Sequence, residues 1–275
     1  MTYTSILTHV QTGGGTTRPL EIACDLAHRF GASLTGVAVE MLRAAPFSDG
    51  YCNVDGEWFT AMRTMILDDQ KNARCLFDVA TAKNPGANQW IEGIDFPADS
   101  LARESRGADL IVTGHPSKGR NDPYKDAQPA ELALKSGRPV LVVPDGGASF
   151  SGNKVVLGWK DTREARRAMS DAMPFLKAAE AVLVVEVCGP KDVSDALTRT
   201  SDVVHALGRH GVNAEARSST EHLNAGLDLV DQARLFGADL IVSGAYGHSR
   251  MGEWVFGGVT HELLAQKHHF VLLSH

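Results

Sequence analysis

One eight-residue stretch occurs twice in this chain, and that duplication constrains the fold more than any other feature. Gly107-Ala108-Asp109-Leu110-Ile111-Val112-Thr113-Gly114 returns as Gly237-Ala238-Asp239-Leu240-Ile241-Val242-Ser243-Gly244, with Thr113 against Ser243 the single change. The same offset lays residues 139–143 on residues 269–273, both short apolar runs. Glu131-Leu132 and Glu262-Leu263 fall between them, each in a helical stretch. An echo of this length indicates a duplicated domain, and 275 residues are enough for two, each with its own core.

Both halves follow one order. An apolar β-run (residues 6–10, or 155–159) leads to a helical pattern (19–30, or 163–178) and a second β-run (33–39, or 181–187). Helix, weak strand (89–93, or 213–217), helix, the repeated strand, a loop with a helix, and a last strand follow. Ile22, Leu26 and Phe30 recur at helical spacing, as do Ala168, Ala172 and Phe175. Near-continuous apolar strands alternating with helices predict an α/β fold: two tandem doubly wound parallel sheets covered on both faces. The Gly- and Ser-rich segment 145–153 marks the boundary, giving domains 1–147 and 153–275. The first half also carries an insertion over residues 42–83. Its part from 58 to 82 reads as helix, with Met62, Ile66, Ala73, Phe77 and Ala80 either packed inward or lining an interface.

Charge and cysteine usage narrow the function. A net charge of −6 argues against a nucleic-acid partner, though not against a nucleotide held by backbone amides. Cys24, Cys52, Cys75 and Cys188 form no C-x-x-C pair, which fits a reducing compartment and no zinc ribbon. No apolar run reaches the roughly 20 residues of a membrane span, and no basic region with an apolar stretch opens the chain. The expectation is a cytoplasmic protein with no membrane partner.

The sharpest chemical constellation follows the second repeated strand: Gly244-Ala245-Tyr246-Gly247-His248-Ser249-Arg250, then Gly257-Gly258-Val259-Thr260 opening a helix. Glycines at the strand end and at the helix start let successive N–H groups face one anion, and the helix adds its own amides and dipole. Thr260 is placed to cap that helix or to bond a phosphate oxygen. Other motifs fail. Residues 12–17, Thr-Gly-Gly-Gly-Thr-Thr, lack the Gly-Lys-Ser/Thr of a Walker A loop, and His261-Glu262 lacks the second histidine of a zinc helix. His268, His269 and His275 read as solvated or capping groups, and no nucleophile elbow occurs, so neither a catalytic nor a metal residue is assigned.

This loop resembles the G-x2-G-x9-G-[S/T] nucleotide signature of the universal stress protein family, through Gly244, Gly247 and Gly257. The preceding Ala-Asp-Leu-Ile-Val-Ser, the closing residues 271–275 and the stretch 155–165 also resemble it, so the likeness runs along nearly the whole chain as a tandem pair. The resemblance implies a Rossmann-like, adenine nucleotide alpha hydrolase-like fold and ATP or another adenine nucleotide as ligand, with magnesium an open question. It implies a site of Gly158, Trp159, Lys160, Val187, Ser243, Gly244, Gly247, His248, Ser249, Gly257, Gly258, Val259 and Thr260. Trp159 either covers a face of adenine or packs against a helix. Two departures stand out: Gly258 replaces the final Ser or Thr, and Lys160 stands where an Asp or Asn is usual.

The first half departs further. Ser117 replaces the second glycine, Asp126-Ala127 falls near the Gly-Ser position, and Pro123 and Pro129 stiffen the loop. An acid where phosphate should sit is unfavourable. This half is expected not to bind ATP in the family's manner, the alternative being rescue by Lys118 and Arg120. The resemblance further implies that the fused copies mimic a dimer inside one chain, through the last strands 139–143 and 270–273, and leaves a homodimer of chains open. Three functions remain: a nucleotide-dependent stress sensor or regulator, a slow ATPase, and an interaction protein using the first-half insertion.

Overall fold

The computed structural model describes residues 2–13, 16–43, 56–84, 86–115, 122–146, 149–222, 224–245 and 258–275. The chain divides into two compact units, Thr4–Ser136 and Gly137–His275 with Met1–Tyr3.

The first unit runs β1 (Ser5–His9), α1 (Arg18–Phe30), β2 (Ser33–Val39), α2 (Gly56–Thr81), β3 (Asn88–Gly93), α3 (Pro97–Glu104), a short 3₁₀ turn, β4 (Leu110–Gly114) and α4 (Pro129–Ser136). Its strands lie in the order β3-β2-β1-β4, all parallel. The second unit runs β5 (Val140–Val143), β6 (Lys154–Gly158), α5 (Arg163–Asp171), α6 (Met173–Ala178), β7 (Ala181–Cys188), α7 (Val193–Gly208), β8 (Ala214–Thr220), α8 (Ala225–Phe236), β9 (Leu240–Gly244), α9 (Gly258–Ala265) and β10 (Phe270–Ser274). Its order is β5-β10-β9-β6-β7-β8, parallel except where β5 runs antiparallel to β10. The predicted α/β architecture is present, and the last strands of the two repeats pair, Leu272 opposite Leu141.

The repeated motif has a structural reason. Asp109 and Asp239 each precede their strand and hold the segment that enters the neighbouring one. The Asp109 carboxylate accepts bonds from the Thr4 N–H and hydroxyl, both 2.7 Å, and from Ser5 N–H at 3.1 Å. Asp239 accepts from Ser151 N–H at 2.7 Å, its hydroxyl at 2.9 Å and Gly152 N–H at 2.8 Å. Three donors on one carboxylate oxygen are charge-assisted bonds, stronger than neutral ones. They fix β1 beside β4 and β6 beside β9 at the amino ends of the sheets. Apolar strand residues fill the core, and Phe150, from the Gly- and Ser-rich segment, packs on Phe270 at 4.8 Å and Phe175 at 5.5 Å.

Two segments differ from the sequence reading. The helix expected over 163–178 is broken at Ala172, because Pro174 in the first turn of α6 has no N–H to continue α5. The helical part of the expected insertion is the β2-to-β3 crossover: α2 takes the place that α7 has between β7 and β8, with 26 residues against 16. Ile66, Ala73 and Phe77 are buried and Met62 and Ala80 half-buried, so this stripe packs inward. Gly36 of β2 makes room for it, since a side chain there would stand 2.6 Å from the Phe77 ring. No described helix is long and apolar enough to cross a membrane.

Candidate functional site

In open α/β sheets a ligand lies beyond the carboxyl ends of the strands, where the order reverses. In the second unit that point is β6, flanked by β7 and β9. Register places Gly158 beside both Val185 and Ser243, and Ser243 beside Leu273. Gly158, Trp159, Lys160, Val187, Ser243 and Gly244 therefore converge at one end of three adjacent strands. Trp159 is 8% exposed; its N–H donates to Val185 O at 2.7 Å, and its indole Nε1 has no hydrogen-bond partner. Lys160 is exposed and its carbonyl accepts from Thr162 N–H at 2.7 Å. Thr162 then caps α5, its hydroxyl oxygen accepting from Ala165 N–H at 3.3 Å. Val187 is half-buried beside the equally half-buried Cys188.

The glycines of this region have different physical reasons. A Cβ on Gly244 would stand 2.7 Å from the Glu164 carbonyl carbon and 2.8 Å from Ala165 N, so the first turn of α5 lies directly on β9. A Cβ on Gly158 would stand 2.7 Å from Leu229 of α8. Both positions are therefore explained by helix packing. Gly258, at the start of α9, has nothing within 4 Å of a Cβ and is exposed. Gly226 of α8 lets α9 approach, a Cβ there meeting Val259 Cα at 3.1 Å. Gly226 and Leu229 are three residues apart, about 4.5 Å along the helix. One turn of α8 thus touches both the start of α9 and the end of β6. Thr260 is buried in that first turn. Gly247, His248, Ser249 and Gly257 lie outside the described residues, as do Tyr246 and Arg250.

The strand ends of the first unit are built differently. The registers make Gln11 the counterpart of Lys160, Thr12 of Asp161 and Glu40 of Cys188. Glu40 is 1% exposed. One of its oxygens accepts from the Thr12 hydroxyl at 2.8 Å, and the other pairs with Lys125 Nζ at 2.9 Å. Lys125 also faces Asp69 of α2 at 3.6 Å. Its turn is fastened by Met41 N–H to Tyr124 O at 2.8 Å, by Gln11 Nε2 to Asp126 at 2.9 Å, and by an Arg43–Asp122 ion pair. Sequence reasoning missed this cluster. Its members are far apart in the chain, and the one available signal was an acid, Glu40, directly after an apolar strand. It also missed His9 at the end of β1, which is 2% exposed with neither ring nitrogen hydrogen-bonded. Burial pushes the His9 pKa down to about 4. Ser117, Lys118 and Arg120 lie outside the described residues.

The terminal histidines have local roles: Gln266 Oε1 accepts from the backbone N–H of His268 and His269, both at 2.8 Å, and His275 Nδ1 lies 2.9 Å from Ala245 O. Among the described residues no His, Cys, Asp and Glu group is arranged to hold a metal.

No protein-family model and no curated protein matches the sequence. Solved structures do match its fold. A universal stress protein from Archaeoglobus fulgidus superposes with a TM-score of 0.72 over 98% of this chain and 95% of its own, at 13% identity. A putative universal stress protein from Pseudomonas aeruginosa gives 0.62 over 99% and 93%, at 14% identity. A functionally unknown protein from the same species gives 0.63 over 99% and 92%, at 15% identity. Along its whole length, then, the chain has the fold of the universal stress proteins.

Proposed function

We propose that this chain is a stress-response protein whose second unit binds ATP or a related adenine nucleotide, acting as a nucleotide-dependent sensor or regulator. One observation carries the reading. At the strand ends of the second unit Lys160 and Asp161 are exposed and Val187 and Cys188 half-buried, whereas among their first-unit counterparts Thr12, Val39 and Glu40 are buried, with Lys125 paired to Glu40. The fold of universal stress proteins and the glycine spacing of residues 244–258 support the same ligand. The first-turn N–H groups of α9 have no carbonyl partner within the helix and suit a phosphate, with Gly258 adding no side chain there. Lys160, exposed just past the end of β6, supplies a cation for it. The buried Trp159 indole N–H supplies a donor for the base or ribose, which offsets the cost of leaving it unpaired.

Gly258→Ser tests this at a position where a side chain meets nothing. Restoring the hydroxyl adds one phosphate bond worth about 1 kcal/mol, roughly fivefold in Kd. Calorimetric titration with ATP should show wild-type binding, tightened by Gly258→Ser and weakened by Trp159→Phe. Absence of binding heat from the wild-type chain would remove the nucleotide reading.

A further inference from the structure

The ends of β1 and β2 in the first unit form the same crevice that the nucleotide reading assigns to the second unit, yet this one is filled from within. Its occupant is the turn Asp122–Asp126, closed on itself by Lys125 N–H to Asp122 O at 2.9 Å and Asp126 N–H to Asp122 O at 2.7 Å. Lys125 carries its ammonium between Glu40 and Asp69, over Gly13, whose φ of +68° turns the chain there. Gly13 passes so close that a Cβ on it would stand 3.0 Å from Lys125 Nζ. Tyr124 packs on Phe96 at 5.7 Å. A carboxylate as buried as Glu40 needs a cation and a donor, and here the chain supplies both in Lys125 and Thr12.

We infer that residues 122–126 are a tethered plug, with Lys125 as its pin, that occupies the first unit's strand-end crevice and excludes nucleotide from it. The buried Glu40 is what makes the plug tight. With Lys125 gone the buried carboxylate would keep the Thr12 hydroxyl but lose its cation, and the closed arrangement would lose the contact that holds it. The chain then takes one nucleotide, in its second unit; this stoichiometry rests on the function proposed above, whereas the plug itself does not.

The test separates the two. Hydrogen exchange of the Met41 amide, bonded to Tyr124 O, reports opening of the plug in the full-length chain. In Lys125→Ala it should exchange roughly a hundredfold faster than in wild type while amides of β8 and β9 are unchanged. Glu40→Gln/Lys125→Ala serves as the second variant, because it opens the plug without stranding a buried charge, and should show the same acceleration. Unchanged Met41 exchange in that double variant overturns the plug. Titration with ATP should give one equivalent for wild type and a second, weaker equivalent for the double variant. Two equivalents in wild type, or one in both, overturns the exclusion. Zero uptake by wild type, with Met41 released as expected, refutes the nucleotide function and leaves the plug standing.

Discussion

His9 gives the fold of the first unit a pH dependence whose size can be worked out. The ring sits at the end of β1, 2% exposed, with no hydrogen bond to either nitrogen. Burial without a partner disfavours the imidazolium and lowers its pKa from 6.5 to about 4. The unfolded chain therefore binds a proton that the folded unit refuses. The contribution is fully present above pH 6.5 and is lost as pH falls through the window from 6.5 to about 4. A shift of this size corresponds to about 3 kcal/mol in total, of which about 2 kcal/mol has gone by pH 5. Replacing the ring by a side chain of similar volume that never titrates, His9→Met, removes this term. It also removes two unpaired buried nitrogens, so the variant should be at least as stable as wild type at pH 7.5. Urea unfolding of both proteins at pH 7.5, 6.5, 5.5 and 4.5, followed by a probe in the first unit, gives the difference directly. His269 is also lowered by burial and acts in the same direction, but it contributes equally to both proteins and cancels. The stability of wild type relative to the variant should fall by about 2 kcal/mol between pH 7.5 and 5. A flat difference, or a His9 ring proton titrating near pH 6.5 in the folded protein, would refute the reasoning.

Two further outcomes follow from the packing. Gly244→Ala places a Cβ against the backbone of Glu164 and Ala165, which cannot rotate away; it should cost about 1–3 kcal/mol, read as a lowered Tm, whether or not nucleotide is present. Asp239→Ala strands the Ser151 and Gly152 amides and should destabilise the second unit by about 2 kcal/mol in urea unfolding, with Asp109→Ala acting likewise on the first.

The architecture was legible because its signals are local. Apolar runs such as residues 110–113 and 240–242 mark strands wherever they stand, and helical spacing over residues 22–30 marks α1. The break at Ala172 was missed, because the periodicity of Ala168, Ala172 and Phe175 runs across it; Pro174 was the signal that marked it. Side-chain clusters are another matter. Nothing in the order of residues tells Glu40 that Lys125 will reach it, since the pairing exists only once β1, β2 and α2 have assembled. Glycines are ambiguous for a similar reason. Gly244 and Gly258 look alike in a glycine-spaced loop, yet one is required by the α5 backbone and the other meets open space.

The duplication itself separates folding from function. Where the two halves agree most closely, at Asp109 and Asp239, the shared residues hold the amino ends of the strands, the end opposite the crevice. Where they disagree, at Gln11 against Lys160, Thr12 against Asp161 and Glu40 against Cys188, the positions ring the crevice. That division has a physical basis. Both copies need the same carboxylate bonds to align a parallel sheet, so neither can lose them. On the function proposed above only one copy needs a ligand crevice, so the other is free to fill its own. On that proposal the strongest internal repeat of this chain marks the scaffold, and the proposed site lies at strand ends where the copies have parted.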